Sequence, residues 1–264
     1  VGAEKFVTFT GATPLAFILG DGVQVGSWTT ENAPRDSLET LACAARLYYL
    51  FPYLASPVLS CPRTTNETPT DQASWRLMWL TGVALTGGAS RIVDGATPLG
   101  QDDVTFLRKL GPVLGRPARP LDLFNPLGPR IWALPLSSSA GDWYLVALFN
   151  WDEASQATLT VPFALFTSNP TDFYTVFDFW DQRYCGTASR QLTVSVGPST
   201  VRLLGLRPYA EHPMVLAVDS RITQGASDLT AVEWDGNAKQ LRGILQATEG
   251  TEYTLYILLS LIHI

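Results

Sequence analysis

The chain has 264 residues, 46% of them apolar and only 16% charged, which is enough length and apolar content for one large packed domain or two ordinary ones and excludes a disordered chain. A formal net charge of -6 provides no basic field for a phosphate backbone, so nucleic acid is excluded as a partner and a neutral or cationic small ligand fits better. No apolar run reaches the roughly 20 residues that a membrane span needs, so a membrane is excluded as well.

In chain order, Lys5 to Thr10 forms a short β-prone run closed by Gly11-Ala12-Thr13-Pro14, a strand and its loop. Asp21 to Gly26 is a second short strand. Asp36 or Ser37 then caps an apolar-periodic helix that runs through Tyr49. Ser56 to Cys61 is a third short strand, Asp71 to Leu85 a second helix, Ala89 to Val93 a fourth strand and Gln101 to Leu110 a third helix. Short strands alternating with longer helices specify parallel βα units, and about four such units are half of what a closed barrel needs.

The composition then changes. Gly111-Pro112, Arg116-Pro117, Arg119-Pro120, Asn125-Pro126 and Gly128-Pro129 make a Pro-rich connector. Beyond Ile131 only short alternating runs follow: Trp143 to Phe149, Thr158 to Val161, Tyr174 to Phe177, Leu192 to Val196 and Val201 to Leu206. Turns punctuate them at the spacing of about 8 to 12 residues that marks an antiparallel β-sandwich. The expected domains are residues 1–115, 131–258 and a linker at 116–130 between them. A last alternating run, Glu252 to Tyr256, precedes an abruptly apolar end. Residues 259–264 match the translation of a transposon end used as a sequencing adapter, CTGTCTCTTATACACATC, and are expected to be a tail of that origin. On that reading His212, in a connection before Pro213, is the one native histidine.

Three widely spaced cysteines, Cys43, Cys61 and Cys185, fit neither a disulfide framework nor a zinc pattern and are expected to be free and mostly buried. No paired histidines, cysteine cluster or phosphate-binding glycine loop is present, so no metal or other cofactor is expected. Eight Trp is a high count; Trp stacks on sugar rings, though core filling is the commoner role of any single one.

Several phrases, in their order, resemble the α-galactosidase and raffinose-synthase clan of glycoside hydrolases, particularly its melibiase-like branch. They are Val146 to Trp151, Tyr174 to Trp180, Val201 to Leu206 and Ser220 to Gly225 in the β-domain. Upstream they are Thr86-Gly87-Gly88 leading to Asp94, Leu107-Arg108-Lys109 and Arg119 to Phe124. The resemblance implies the C-terminal half of a (β/α)8 TIM barrel followed by an antiparallel β-sandwich, with a carbohydrate substrate. It also implies a retaining mechanism with two aspartates whose carboxyl groups stand roughly 5 to 5.5 Å apart. One of them, the nucleophile, would lie on a strand before Val1.

The sixth barrel strand of the clan ends in Arg-Ile-Gly-x-Asp, where this chain reads Gln24-Val25-Gly26-Ser27-Trp28. The acid is replaced by a Trp, which has no proton to give at neutral pH. Glu31, in the same loop, is the candidate replacement acid, ahead of Asp21 at the start of the strand. Trp28 is the candidate for stacking on a sugar. At the seventh strand Leu59-Ser60-Cys61-Pro62-Arg63 again lacks the clan's carboxylate. Asp94, after the eighth strand, either hydrogen-bonds sugar hydroxyls or caps the turn at Gly95. Asp178 and Asp181, bracketing Phe179-Trp180, read as a structural turn, and Arg221 and Gln224 as a structural corner.

Three functions compete: a glycosidase or transglycosidase with altered substrate geometry, a non-catalytic carbohydrate-binding homologue, and an accessory sandwich on an unrelated barrel. The first is preferred.

Overall fold

The computed structural model describes residues 8–10, 22–24, 56–61, 70–87, 89–92, 101–112, 116–126 and 128–259. The chain forms two compact units. One comprises Val1–Trp132 together with Phe149–Gln156 and Gly197–Val201; the other comprises Ala133–Leu148, Ala157–Val196 and Arg202–Ile264.

The first unit opens with four short strands: β1 (Thr8–Thr10), β2 (Gly22–Gln24), β3 (Ser56–Cys61) and β4 (Ala89–Ile92). They pair side by side in chain order and all in parallel, with Thr10 opposite Gln24, Gln24 opposite Val58 and Cys61 opposite Ile92. Parallel neighbours need a crossover, and helix α1 (Thr70–Leu85) is the one between β3 and β4. Every residue from Leu80 to Gly87 is buried, so this end of α1 is enclosed on all sides rather than amphipathic. Its buried Thr81 hydroxyl donates to the Leu77 carbonyl at 2.7 Å, which satisfies a polar group inside the packed end of the helix. Helix α2 (Gln101–Leu110) carries Arg108 and Lys109 in its last turn, where cations oppose the helix dipole favourably.

The end of α1 shows why the Thr86-Gly87 phrase is there. Gly87 has φ of 74°, the left-handed C-cap conformation that glycine adopts without penalty. A Cβ on it would lie 2.2 Å from the Arg116 carbonyl oxygen. Next to it the Ala118 N–H donates to the Leu85 carbonyl at 2.7 Å, satisfying one of the acceptors that a helix end leaves open. The connector is thus stitched directly onto the helix terminus.

The remaining strands are β5 (Arg119–Pro120), β6 (Ile131–Ser138), β7 (Gly141–Asn150), β8 (Ala157–Pro162), β9 (Tyr174–Asp178), β10 (Arg183–Ala188), β11 (Gln191–Val196), β12 (Thr200–Pro208), β13 (Met214–Val218), β14 (Leu229–Asp235), β15 (Gln240–Leu245) and β16 (Leu255–Leu258). A six-stranded sheet runs β10-β9-β12-β7-β6-β5, and β11-β8, β13-β16 and β14-β15 form two-stranded sheets. Alternation builds β8, where Leu159 and Val161 are buried while Thr158 and Thr160 face out. Thr160 and Thr193, directly opposite in the β8–β11 register, hydrogen-bond across the pair at 3.0 Å. All five residues of β9 are buried, because Phe177 packs against Leu216 and Ala217 of β13 on one face while Tyr174 meets Phe163 edge-on on the other. The chain is therefore mostly β, with a sandwich of antiparallel strands in its C-terminal part.

Some expectations shift. Strand β13 shows no alternation because both of its faces are buried. The strand expected at Glu252 to Tyr256 lies further on, at Leu255–Leu258, because Leu258 pairs with Met214. Cys185 is exposed, since alternation on β10 turns Tyr184 inward and Cys185 out. His212 does lie between strands, as expected, in the connection from β12 to β13.

Gly87→Ala combines a strained φ with a backbone clash, and is expected to cost about 2 to 4 kcal/mol. Urea unfolding of the variant measures the loss; a midpoint equal to that of the wild type would mean the connector does not rest on the helix end.

Candidate functional site

In a parallel sheet, ligands are taken at the C-terminal ends of the strands. Here the strands run in one direction, so these ends lie on the same side of the sheet: Thr10 and Gln24 are level with Val58, and Cys61 and Ile92 extend three residues further. The candidate residues Trp28, Glu31 and Asp94 follow the ends of β2 and β4 in the sequence and lie outside the described residues, as do Asp21 and the helix expected from Asp36 to Tyr49. Cys61, the last residue of β3, is described, and it stands where the clan resemblance expects a carboxylate nearby.

In the first unit, polar groups lock the connector in place. Asp122 accepts the Arg130 N–H on both carboxylate oxygens and the Ile131 N–H on Oδ1, each at 2.9 Å, and Asn125 Nδ2 donates to Oδ2 at 3.1 Å. A carboxylate that gathers two successive backbone N–H groups fixes the chain where it turns into β6. Asn150, fully buried at the end of β7, donates from Nδ2 to the carbonyls of Ser155 and Gly197, both at 2.8 Å. The Pro129 carbonyl takes the indole N–H groups of Trp132 at 3.1 Å and Trp151 at 3.0 Å, and Phe149 lies between the two indoles, stacked on Trp151. These two Trp residues are therefore structural and not free to stack on sugar.

The paired carboxylates of the second unit form a turn. The Asp178 carboxylate, fully buried, receives the N–H groups of Trp180 and Asp181 at 3.1 Å and pairs with Arg202 Nε. Arg202 also reaches Asp181 at 3.4 Å. Burial pushes the Asp178 carboxyl above the ordinary carboxylate range, and the Asp181 N–H and Arg202 offset only part of that. For Arg202, burial opposes the cation but the two carboxylates outweigh it and raise its pKa. These contacts tie the Asp178 carboxylate to the backbone of the β9–β10 turn and to Arg202, the structural turn expected from the sequence.

Ser220 to Gly225 is the expected corner. Asp228 accepts Ser220 Oγ at 2.8 Å and Arg221 Nε at 2.9 Å. Gln224 and Gly225 both have positive φ, 55° and 113°. The buried Gln224 side chain lies so close to Gly205 that a Cβ there would meet its Oε1 at 2.1 Å. Arg207 closes this region: its Nε donates to the Leu216 carbonyl and Nη2 to the Gln224 carbonyl, both at 2.9 Å, and the guanidinium lies 3.7 Å above the centre of the Trp143 ring. Burial lowers its pKa to about 10, which leaves the cation intact at neutral pH. Asp122, Asn150 and Arg207 were not singled out in the sequence. The only signal they offer is a polar residue inside or next to an apolar run, as with Asn150 directly after Val146 to Phe149.

The described residues contain no group of three His, Cys, Asp or Glu side chains able to hold a metal ion, and no described helix is long and apolar enough to cross a membrane.

Residues 128–206 match the model of the alpha galactosidase C-terminal beta sandwich domain. Comparison with curated proteins gives no match. Among solved structures, α-galactosidase I from Mortierella vinacea superposes on 75% of this chain and 55% of its own, with a TM-score of 0.52 and 12% identity. The α-galactosidase from Saccharomyces cerevisiae with raffinose covers 72% of this chain and 60% of its own, with a TM-score of 0.50 and 11% identity. A β-L-arabinopyranosidase from Geobacillus stearothermophilus in complex with arabinose covers 72% and 50%, with a TM-score of 0.50 and 15% identity. At these identities the likeness is one of fold, and the chain spans little more than half the length of each. The chain resembles the C-terminal part of the melibiase-like clan.

Asp178→Ala strands a half-buried Arg202 and is expected to cost about 3 to 5 kcal/mol, part of which Arg202→Met in the same chain restores by removing the orphaned cation. Denaturant unfolding of the two single variants and the double variant reads the coupling; strict additivity would contradict the pairing.

Proposed function

We propose that the chain is the C-terminal part of a retaining glycoside hydrolase acting on O-glycosidic bonds of carbohydrates. Residues 1–115 are assigned to the closing half of a (β/α)8 barrel, 116–130 to the connector, 131–258 to the antiparallel sandwich and 259–264 to an adapter-derived tail. The observation that supports this most is the order of elements: four parallel strands in sequence, with helices between and after them, followed by a sandwich whose residues 128–206 match the α-galactosidase C-terminal domain. The solved structures of the same fold include enzymes described as α-galactosidases, one with raffinose, and a β-L-arabinopyranosidase with arabinose, which supports a carbohydrate as the substrate.

In this reading Glu31 is the general acid/base. It protonates the leaving oxygen while a carboxylate from a strand N-terminal to Val1 attacks the anomeric carbon. It then takes the proton from the water that releases the sugar. Trp28 stacks on the apolar face of a sugar ring and Asp94 accepts its hydroxyls. Sandwich residues stay outside the chemistry in this reading.

A second reading is favoured by the sequence at β2 itself. Gln24 to Trp28 holds neither the Arg nor the Asp of the clan motif, so a carbohydrate-binding homologue without turnover would keep the aromatic and polar groups and lose the acid.

The test is made on the longest natural reading frame that contains this chain. Proton NMR of the first product from an aryl α-galactoside is expected to show retained anomeric configuration. Glu31→Gln is expected to lower kcat on raffinose by about 10² to 10⁴, with a smaller loss on the aryl glycoside, whose leaving group needs little protonation. Inverted product would overturn the mechanism, and an unaffected Glu31→Gln would remove Glu31 from it. Sugar binding with no turnover in the wild type would establish the second reading.

A further inference from the structure

The second unit holds a recess that neither the clan resemblance nor the proposed barrel chemistry uses. It has a volume of about 270 Å³ and is walled by the β6–β7 turn at Ala140 to Asp142, the connection from Ala210 to Pro213, and Val232, Trp234 and Leu241 of the β14–β15 hairpin. Its apolar floor is Met214 and Val215, both buried. A Cβ on Gly141 would meet nothing within 4 Å, so that corner is open space.

Three groups in the lining have chemistry to offer. Trp234 is half-buried, and the His212 ring stacks on one of its faces, 3° between the planes and 5.2 Å between centroids, so the two rings form an aromatic stack with two outer faces. His212 Nδ1 lies 2.9 Å from the Pro213 carbonyl oxygen, and since a carbonyl only accepts, Nδ1 is the donor. The neutral ring therefore keeps its lone pair on Nε2, as an acceptor. Asp142 is exposed and adds a carboxylate. Arg207 also borders the recess, but its guanidinium is committed to the Leu216 and Gln224 carbonyls and the Trp143 face, so it stiffens the wall.

An aromatic stack beside two acceptors, over an apolar floor, suits a molecule with one C–H face and several hydroxyl donors. An anion is repelled by Asp142, and one carboxylate with one imidazole falls short of a metal site. We infer that this recess is a second, non-catalytic saccharide site, in which a neutral sugar ring packs on an outer face of the Trp234–His212 stack and donates hydroxyls to Asp142 and His212 Nε2. Both surfaces are small and open, so the affinity is in the range of about 1 to 10 mM that a shallow site of this size supports. The inference goes beyond the barrel reading, because every residue it uses lies in the second unit and binding requires no turnover.

The test follows the tryptophan indole N–H signals of the 264-residue chain by NMR during titration with D-galactose and with raffinose. The Trp234 signal is identified by its loss in Trp234→Phe, a variant that keeps a flat ring. The Trp234 signal is expected to move saturably with at least one of the two sugars. Trp234→Ala is expected to weaken that binding at least about tenfold and Asp142→Asn several-fold, as for loss of a stacking or hydrogen-bonding anchor. Well-dispersed spectra of the variants show that they fold. A Trp234 signal unmoved by either sugar overturns the inference. So does binding abolished by Trp28→Ala and untouched by Trp234→Ala, an outcome that supports the barrel reading instead. Saturable movement of Trp234 in a chain whose natural full-length form has no glycosidase activity sustains this site while the barrel reading fails.

Discussion

The carboxylate of Asp122 is the constraint on which the first unit depends. A Pro-rich segment lacks many backbone donors and so cannot be fixed by a ladder of main-chain hydrogen bonds. This chain supplies the missing order from a side chain: Asp122 collects the N–H groups of Arg130 and Ile131 and so sets the direction in which β6 departs. The Pro129 carbonyl beside them receives two indoles, and Asn150 joins Ser155 to Gly197. At its other end the same connector caps helix α1 through Ala118 and passes so close to Gly87 that no larger residue fits. A segment that reads as a spacer is thereby held at both ends by groups that each satisfy an otherwise open donor or acceptor.

The second unit is organised differently, around buried charge. Arg207 is held by two carbonyls and an indole face, whereas Asp178 is buried deeply enough to need Arg202 and two backbone N–H groups together. Such arrangements contribute little net stability compared with apolar packing, but they tolerate few alternatives, because any one missing partner leaves a buried polar group unpaid. Two of the four phrases by which the β-domain resembles its clan, Tyr174 to Trp180 and Ser220 to Gly225, contain the Asp178 turn and the Gln224 corner, and none of the four touches a sugar in the proposed mechanism.

How much was legible follows from the kind of signal each feature leaves. Helix α2 and strand β3 were readable to the residue, because their periodicity is uninterrupted and a Gly or Pro closes each. Strand β13 was not singled out: it is buried on both faces and has no period of two, although β9, buried in the same way, was read as a strand. The aspartate turn at Asp178 and the corner at Gln224 were read correctly as structural from alternation and turn chemistry alone. Asp122 and Asn150 escaped because a lone polar residue acquires its meaning from chain segments brought next to it by folding, which no local pattern records. The recess at Trp234 is the same case: His212 lies in the β12–β13 connection and Trp234 on β14, and their parallel stacking has no counterpart in sequence spacing. The candidate residues Trp28, Glu31 and Asp94 were found by the opposite route, from a resemblance and its departures, and the sheet edge after β2 and β4 is where such residues do chemistry in folds of this type.

The role given to Asp122 is tested most directly by backbone amide hydrogen exchange in the wild-type chain and in Asp122→Ala. The amides of Arg130 and Ile131 are expected to be strongly protected in the wild type and to lose that protection in the variant, with a fall in unfolding free energy of about 2 to 4 kcal/mol for the donors left without acceptors. Equal protection at both amides in the two proteins would contradict the account, since the connector would then be ordered by something other than this carboxylate.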